Sequence, residues 1–495
     1  MIEPIIYELG RPGRTGIDLP ACDVPESPLP RELLRDDLDL PEVSQLDVMR
    51  HYVRLSQMNY GVDVGMYPLG SCTMKYNPKI NEDIARLPGF GSTHPLQPEA
   101  TVQGNLQLLF EMQQALAELS GFDAVSLQPA AGAHGELAGV LMIRAYHASR
   151  GDTQRQVMLI PDSAHGTNPA STTMAGFRPI ELPSDPRGNV DLTELAKHLN
   201  DDLAGMMLTN PNTLGLFDEQ ITQISNMVHA AGGLMYGDGA NFNAMMGIAK
   251  PADLGFDVMH FNLHKTFATP HGGGGPGSGP VGATVTLAPF LPGPIAQRID
   301  EADDPADTHR HGYHLQMPSR SIGRLKAFHG NYGVIVRAYA YIRSLGAAGL
   351  RQASEMAVLN ANYVQTKLQD VLPLPYDRTC AHECVLQGIV DGADSIHALD
   401  ISKRLIDHGF HPPTNYFPLI VPEALMIEPT ETESLETLDS YCSAVRRIAK
   451  EAIDSPELLH NAPSSAPVGR LDEVRAARQL RLRWLPASKS NADDR

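Results

Sequence analysis

The feature that most constrains the fold is a regular alternation of short apolar segments with helical segments along the first half of the chain. The apolar segments have the length and composition of buried strands and lie at Val157–Pro161, Met206–Thr209, Leu234–Gly237 and Val258–Asn262. Helical periodicity is found between them, at Leu192–Leu199 and Asp218–Ala231. This alternation predicts an α/β fold with a mostly parallel sheet and helices on both faces. Because ligands of such sheets bind at the carboxyl ends of the strands, functional side chains are expected just after the apolar segments.

The length of the chain, 495 residues, predicts more than one domain. A helix is predicted at Glu99–Leu119, with Gly121 ending it. After Tyr332 the pattern changes to long helices and short strands such as Glu383–Val390, which indicates a smaller α+β domain. The predicted regions are an N-terminal arm (1–95), a large domain (96–332), a small C-terminal domain (333–460) and a C-terminal tail (461–495) that is either packed or disordered.

Composition and charge narrow the class of protein. The chain has 58 acidic and 39 basic residues, and this formal charge of −19 disfavours binding to nucleic acid or to an anionic membrane. The first residues contain no secretory signal, and no apolar run reaches the length of about 18 residues that a membrane span needs. Five scattered cysteines are typical of a reducing compartment. The expected location is the cytoplasm.

No metal site is predicted. Cys380 and Cys384 form the one close pair of cysteines, and no second pair follows at the spacing of a zinc site. Three histidines between His309 and His314 could suggest a metal. A solvated, variable loop from Asp303 to Pro318 is the favoured interpretation of that stretch.

A lysine follows the last of the apolar segments. Lys265 stands in the sequence NLHKT (262–266), before a glycine-rich run from His271 to Gly277. Burying a lysine cation is costly, whereas an unprotonated lysine amine in a partly desolvated site can form an imine with an aldehyde. The glycines would let the backbone approach a flat ring, or bind phosphate through N–H groups. A surface lysine beside a flexible loop is the alternative, and spacing alone does not exclude it.

Four other segments also follow predicted strands, and together they favour a cofactor site. Asp238 could pair with the ring nitrogen of a pyridoxal cofactor, although a lone acid at this position also caps helices. Residues 128–136 (QPAAGAHGE) lead into an apolar helix whose N-terminus could bind phosphate. His165 could stack on a cofactor ring or simply bond to the backbone, and residues 209–215 (TNPNTLG) offer polar groups for a phenolic oxygen.

Beyond these residues, phrase-length stretches along most of the chain resemble the glycine dehydrogenase (decarboxylating) family, the P-protein of the glycine cleavage system. The matching stretches are YPLGSCTMKYNP (67–78), QPAAGAHGE (128–136), PDSAHGTNPAS (161–171), YGDGANFNA (236–244), NLHKTF and PHGGGGPG within 262–277, SIGRLKAFHGN (321–331), HPPTNYFPLIVPEALMIEPTETE (411–433) and RLDEVRAAR (470–478). The resemblance implies the type I pyridoxal-phosphate-dependent transferase fold. The family has a long form and a split form, and a chain of this length with the lysine resembles subunit 2 of the split form.

The resemblance implies roles for individual residues. Lys265 would hold pyridoxal 5'-phosphate as an internal aldimine, with Asp238 on the pyridine nitrogen and His165 stacked on the ring. His264 would assist Lys265 in proton transfer. Other cofactor contacts are expected from Gly132, Ala133, His134, Thr213 and Ala240. Arg324 and Arg378 are candidates for binding the carboxylate of glycine, without geometry to support either.

The implied reaction is decarboxylation of glycine, followed by transfer of the aminomethyl group to the lipoyl arm of the H-protein. The implied partners are that H-protein and glycine dehydrogenase subunit 1, in a 2+2 heterotetramer, with no nucleic acid and no membrane. Two alternatives remain open on the residues alone. One is a pyridoxal-dependent decarboxylase of larger amino acids, and the other is a non-catalytic structural subunit, which the intact Lys265 and Asp238 disfavour.

Overall fold

The computed structural model describes residues 2–35, 38, 40–94, 97–272, 277–299, 312–480 and 482–484. The chain divides into two compact units, one formed by Met1–Gly65 with Asn461–Arg495 and the other by Met66–His460. The centre of the predicted glycine-rich run (273–276) and most of the predicted histidine loop (300–311) lie outside the described residues.

The strands are short and most of them are buried. Their bounds are β1 Ala124–Ser126, β2 Val157–Pro161, β3 Arg178–Leu182, β4 Leu203–Thr209, β5 Leu234–Asp238, β6 Val258–His260, β7 Val281–Ala283, β8 Ile295–Ile299, β9 Gly312–Gln316, β10 Cys384–Gln387, β11 Thr414–Asn415 and β12 Ala424–Ile427.

The α-helices vary in length from one turn to ten. Their bounds are α1 Ile6–Leu9, α2 Gln45–Met58, α3 Lys79–Ala85, α4 Pro88–Gly91, α5 Gln103–Ser120, α6 Gly132–Arg150, α7 Thr167–Met174, α8 Leu192–Ala196, α9 Ile221–Ala230, α10 Leu263–Thr266, α11 Tyr332–Leu368, α12 Ala398–Asp407, α13 Leu435–Asp454, α14 Glu457–His460 and α15 Glu473–Arg478. Short 3-10 helices lie at Arg31–Leu33, Glu99–Thr101, Gly239–Ala244, Pro251–Leu254 and Ala288–Phe290.

Seven strands of the larger unit form one sheet, in the order β1-β7-β6-β5-β4-β2-β3. β7 is antiparallel to both of its neighbours, and the other pairs are parallel. The strands β1, β6, β5, β4 and β2 therefore point the same way, and their carboxyl ends meet at one edge. The predicted α/β fold with a mostly parallel sheet is confirmed.

Alternate residues of a strand enter two different cores, as the two-residue period of a strand requires. On one face, Leu159 and Met206 pack with residues of α5, α9 and α11. On the other face, Met158 and Met207 pack with the buried side of α6. Both faces are covered, which explains why the sequence of β2 and β4 is continuously apolar.

The second half of α11 belongs to a separate core with β10, α12 and α13. β10, β12 and β11 form a three-stranded antiparallel sheet there. α11 is interrupted at Gly346, where φ is 62° and the backbone leaves the helical region. Gly121 ends α5 as predicted, and its φ of 79° lies in the left-handed region that glycine favours.

The loop predicted from Asp303 to Pro318 is wrong at its C-terminal end. Gly312–Gln316 is strand β9, and it pairs antiparallel with β8, so that His314 lies opposite Gln297. The segment is too short and too rich in histidine and glycine to show a clear strand pattern, and only the pairing with β8 reveals it.

In the smaller unit, the carboxylate of Glu3 accepts from Arg54 Nε at 2.6 Å and lies 3.0 Å from His51 Nδ1. Tyr7 stacks on Trp484 with ring centroids 5.2 Å apart, so the described end of the tail packs within this unit. Among the described residues of the whole chain, no helix combines the length and the apolar composition that a bilayer crossing requires.

Candidate active site

Five polar segments meet at the edge of the sheet where the parallel strands end. Residues 128–136 follow β1, and residues 262–265 follow β6. Residues 161–168 and 209–215 begin at the last residues of β2 and β4, and Asp238 is the last residue of β5. The prediction that these segments follow the strands of one sheet is confirmed by the strand bounds. The separation of these segments in sequence is closed by the topology of the sheet, because the carboxyl ends of neighbouring parallel strands lie side by side.

Lys265 lies on α10, a single turn that begins after Asn262. The backbone N–H of Leu263 donates to Ser278 O at 3.2 Å, which fixes this turn against the chain that leads into β7. Lys265 Nζ is half-buried and donates to the carbonyl oxygen of Ser71 at 2.7 Å. The alternative of a lysine on the open surface is therefore wrong.

Asp238 is buried at the end of β5, with 5% of its surface exposed. Its Oδ1 accepts from the N–H of Ala240 at 2.9 Å, and its Oδ2 lies 2.9 Å from His165 Nδ1 and 3.3 Å from Asn168 Nδ2. Burial alone would raise the pKa of this carboxyl, but the imidazoles of His165 and His260 outweigh it and hold the pKa well below its usual value. Asp238 is thus an ionised carboxylate, and it also caps the 3-10 helix Gly239–Ala244.

Both ring nitrogens of His165 have partners. Nδ1 faces Asp238, and Nε2 is hydrogen-bonded to the hydroxyl of Ser71. The ring lies nearly parallel to that of Phe417, with an angle of 18° and centroids 6.0 Å apart. These contacts fix the plane of the imidazole.

Hydrogen bonds to two different groups of Ser71 therefore connect Lys265 with the pair of His165 and Asp238. They run from Lys265 Nζ to the carbonyl of Ser71, and from the hydroxyl of Ser71 through His165 to Asp238. The two side chains that were predicted to act together are brought into one network, although they are 27 residues apart in sequence.

Sequence reasoning missed the residues 69–75, here called the Ser71 segment, which lie in the stretch predicted to be part of an N-terminal arm. Leu69 forms an antiparallel bridge with Ile427, next to β12. Further along, Lys75 Nζ donates to Glu431 Oε1 and Asn243 Oδ1, both at 2.8 Å. Burial alone would lower the pKa of Lys75, but its ion pair with Glu431 raises it. The segment has no periodicity, so no local pattern could have placed it in the site.

Two buried carboxylates, also missed, hold the Ser71 segment. The backbone N–H of Ser71 donates to Glu383 at 2.6 Å, and that of Thr73 donates to Glu428 at 2.8 Å. Burial raises the pKa of Glu383, and it raises the pKa of Glu428 to about 7. Among the described residues, His382 joins them in a group whose potential ligand atoms lie within 4.8 Å of one another.

The N-terminus of α6 faces the turn that carries Lys265. Its first turn contains Gly132, Ala133 and His134, and no side chain of the described residues caps it. A Cβ added to Gly132 would lie 2.2 Å from Asn262 Oδ1, so the glycine permits the close approach of helix and turn. His134 Nδ1 accepts from the N–H of Ala130 at 3.2 Å, which orients this side chain toward the backbone.

Two residues of the 321–331 stretch also lie at this helix end. Asn331 Nδ2 donates to Ala130 O at 3.0 Å and to the carbonyl of Gly277. Lys326 Nζ donates to Asn331 Oδ1 at 3.2 Å, and burial lowers the pKa of this lysine. In the sequence this stretch indicated only the resemblance to the family, and neither side chain was predicted to lie in the site.

His264 is a neutral imidazole. Burial, with the neighbouring His271 and Lys265, lowers the pKa of His264 to about 3. The N–H of Ser278 donates to Nδ1 at 3.2 Å, which fixes the orientation of the ring. His271 lies edge-on to it, with centroids 5.2 Å apart.

Three of the predicted contact residues, Thr213, Ala240 and Arg378, have hydrogen-bond partners within the chain, and a fourth, Arg324, is exposed. The hydroxyl of Thr213 donates to Ser163 O at 2.5 Å, and the N–H of Ala240 is bonded to Asp238, so both donors are already used. Arg378 donates to Arg187 O, Asn189 Oδ1 and Phe217 O, which makes it a brace between loops. Arg324 is exposed in the 321–331 stretch.

Family models and curated relatives agree with one another. Residues 26–399 match the model described as glycine cleavage system P-protein, and residues 353–462 match the model of the glycine dehydrogenase C-terminal domain. A probable glycine dehydrogenase (decarboxylating) subunit 2 from Caldanaerobacter subterraneus subsp. tengcongensis is 57% identical over 97% of this chain and 98% of its own length. A relative of the same description from Desulforamulus reducens is 57% identical over 98% of this chain and 100% of its own length.

Solved structures share the fold. A glycine decarboxylase (P-protein) of the glycine cleavage system, in inhibitor-bound form, superposes with a TM-score of 0.71 at 22% identity, covering 85% of this chain and 93% of that one. Glutamate decarboxylase from Lactobacillus brevis gives a TM-score of 0.62 at 14% identity, covering 89% of this chain and 96% of that one. At these identities the superpositions establish the type I fold alone.

Proposed function

The chain belongs to the glycine cleavage system P-protein family, and we propose from this premise that it is the subunit that holds the cofactor and decarboxylates glycine. The family model covers more than half of the chain, and relatives named subunit 2 match it from end to end. The observation that carries the assignment of residues is the hydrogen-bonded connection from Lys265 through Ser71 and His165 to Asp238.

The residues present suit pyridoxal 5'-phosphate. An ionised, buried carboxylate at Asp238 fits a protonated pyridine nitrogen, and the uncapped first turn of α6 fits a phosphate group. The close approach of Gly132 to Asn262 keeps that turn beside Lys265, the residue proposed to hold the cofactor covalently. When bound, the cofactor supplies the electron sink that decarboxylation of an amino acid needs.

The first contribution of the protein's own residues is the negative charge of Asp238. Asp238 keeps its negative charge because His165 donates to it and because the backbone N–H of Ala240 donates to its other oxygen. A fixed negative charge in a buried site stabilises positive charge on a partner without any reorganisation of solvent. His165, held at both nitrogens, presents a ring of fixed orientation.

Lys265 and His264 are the groups considered for proton transfer. The amine of Lys265 is held by the carbonyl of Ser71 and can return to that acceptor whenever it is released. His264 is neutral because its pKa is lowered to about 3, so it is a weak base beside the lysine. We assign proton transfer to Lys265, with His264 as its neighbour in the same helical turn.

The aminomethyl group is proposed to pass to the lipoyl arm of the H-protein, with glycine dehydrogenase subunit 1 completing a 2+2 assembly in the cytoplasm. The support is the description of the relatives as subunit 2 and the five unpaired cysteines, which suit a reducing compartment. The description of the relatives as glycine dehydrogenase (decarboxylating) subunit 2 favours this function over the two alternatives from the sequence, a decarboxylase of larger amino acids and a non-catalytic subunit.

The test combines chemistry at the lysine with turnover. Borohydride reduction of the protein with pyridoxal 5'-phosphate, followed by peptide mass spectrometry, is expected to mark Lys265. Lys265→Ala should remove the mark and the visible absorbance, while Lys250→Ala, which removes an exposed lysine paired with Glu118, should change neither.

Turnover is measured as glycine–bicarbonate exchange with subunit 1 present. Lipoyl H-protein is expected to stimulate the exchange, and Lys265→Ala to abolish it. Reductive labelling of another lysine would overturn the role of Lys265. An exchange rate that does not change when lipoyl H-protein is added would overturn the proposed second substrate.

A further inference from the structure

Ser71 contacts both of the side chains assigned to the chemistry. Its hydroxyl is hydrogen-bonded to His165 Nε2, and its carbonyl oxygen accepts from Lys265 Nζ at 2.7 Å. Ser71 is 94 positions from His165 and 194 from Lys265 along the chain. The Ser71 segment therefore bridges His165 and Lys265, which follow the non-adjacent strands β2 and β6 of one sheet.

The backbone of the Ser71 segment is held in a costly conformation. Ser71 and Thr73 have φ of 60° and 44°, in the left-handed region that residues with a side chain rarely adopt. Strain of this kind persists only where the surroundings hold it, and it concentrates at functional sites. Here the holding groups are the carboxylates of Glu383 and Glu428, which accept the N–H groups of Ser71 and Thr73.

A glycine before the serine brings the segment close to its support. A Cβ on Gly70 would lie 2.2 Å from Met426 Cγ and 2.8 Å from Met426 O. The carbonyl of Gly70 accepts from the hydroxyl of Thr414 at 2.9 Å. The segment is therefore anchored on both sides of Ser71, and its hydroxyl and carbonyl point at fixed places.

We propose that Ser71 is a positioning residue, which clamps His165 against rotation and provides the acceptor to which the Lys265 amine returns when it is free. The proposal deepens the proposed function, and its mechanism rests on that function. Since the carboxylate of Asp238 accepts from Nδ1–H of His165, the Nε2 atom of a neutral ring is an acceptor for the hydroxyl proton of Ser71.

The test removes the hydroxyl in two different backbone contexts. Ser71→Ala deletes the hydroxyl and keeps a side chain at positive φ, whereas Ser71→Gly deletes the hydroxyl and relieves the strained backbone. The matched control is Tyr76→Phe, which removes a hydroxyl close by in sequence from a side chain that is 44% exposed.

The first readout needs neither cofactor nor activity. In the cofactor-free protein, modification of His165 by diethyl pyrocarbonate is followed by peptide mass spectrometry, with the other histidines as internal references. Both Ser71 variants are expected to raise the rate severalfold because Nε2 loses its partner, and Tyr76→Phe is expected to match the wild type. Unchanged His165 reactivity in both variants would overturn the clamp.

The second readout is kinetic. Loss of one positioning hydrogen bond predicts a fall of about tenfold in kcat for glycine–bicarbonate exchange, with KM for glycine nearly unchanged, since the hydroxyl acts through His165. A loss in Ser71→Ala that Ser71→Gly restores would overturn the proposal, because the role would then be backbone conformation alone. If glycine is not the substrate, exchange fails in every variant including the control, while the His165 reactivity still decides the clamp.

Discussion

Replacing Asp238 by Asn tests the role of the negative charge in the site. The substitution exchanges one carboxylate oxygen for an NH2 group, which removes the charge and leaves the shape of the side chain almost unchanged. In the wild type, Oδ2 faces two donors, His165 Nδ1 at 2.9 Å and Asn168 Nδ2 at 3.3 Å, and Oδ1 accepts from the N–H of Ala240 at 2.9 Å. The amide of Asn can keep the bond to Ala240. Its NH2 group would then face His165 and Asn168, donor against donor.

The magnitude has two parts. A charge-assisted hydrogen bond contributes about 1.5–3 kcal/mol, and the loss of the bond to His165 is expected to cost stability within that range. For catalysis, two unit charges about 4 Å apart interact by about 4 kcal/mol at an effective dielectric constant of about 20. Because about 1.4 kcal/mol corresponds to a tenfold change in rate, Asp238→Asn should lower glycine–bicarbonate exchange by about three orders of magnitude.

The assay measures exchange and cofactor content on the same sample, so that loss of cofactor is not mistaken for loss of catalysis. Asp238→Asn is expected to retain the covalently held cofactor. Asp218→Asn is the matched control, since Asp218 is also buried and accepts the N–H groups of Val190 and Gln220 at 2.9 and 2.8 Å. Exchange within about tenfold of the wild type, with full cofactor, would refute the pairing of charges.

Three further predictions concern Glu428, Lys75 and Gly132. Because burial raises the pKa of Glu428 from 4.5 to about 7, the folded state binds a proton that the unfolded state releases, and stability should fall as pH rises between these values; Glu428→Gln should flatten this dependence of the unfolding midpoint. Lys75→Met should destabilise the protein by about 3–5 kcal/mol in denaturant unfolding, because Glu431 is left buried and unpaired. Gly132→Ala should weaken binding of pyridoxal 5'-phosphate in an absorbance titration, because its Cβ would lie 2.2 Å from Asn262 Oδ1.

Each of these has a control. If the unfolding midpoint of Glu428→Gln depends on pH as that of the wild type does, the raised pKa of Glu428 is contradicted. Lys250→Met breaks an exposed pair with Glu118 and should cost less than about 1 kcal/mol, so an equal effect of both lysine variants would contradict the special cost of the buried pair. Gly104→Ala adds a Cβ that meets nothing within 4 Å and should leave cofactor affinity unchanged. If both glycine variants bind the cofactor with equal affinity, the close approach at Gly132 does not matter for cofactor binding.

The positions of candidate site residues in the fold were predicted best where a residue ends or follows a strand. Asp238 and Lys265 each come at the end of a recognisable apolar run, and the geometry of a parallel sheet then brings the two segments to one edge. Thr213 and Ala240 were placed in the right segments, but hydrogen bonds with neighbouring groups already use their donors. Which donor remains free depends on local packing, and no spacing in the sequence records it.

Sequence reasoning failed where the site is built from distant, non-periodic chain. Ser71 is in a stretch without strand or helix periodicity, and its segment is held by Glu383 and Glu428, which lie more than 300 residues away. Arg378 was a candidate for substrate binding without supporting geometry, and in the structure its guanidinium is bonded to three loop acceptors. A buried carboxylate or arginine is recognisable as structural or functional only once its neighbours are known.

The sequence by itself determined four of the parallel strands (β2, β4, β5 and β6), the edge at which the candidate site lies and the side chains carried by these strand ends, because these follow from local periodicity and from the one direction that parallel strands share. The tertiary structure alone decided which acceptor holds the Lys265 amine, which hydroxyl fixes His165 and why Asp238 is ionised. Those properties depend on burial and on contacts between groups tens to hundreds of residues apart, and electrostatic interactions of this kind are set by distance in space rather than by position in the chain.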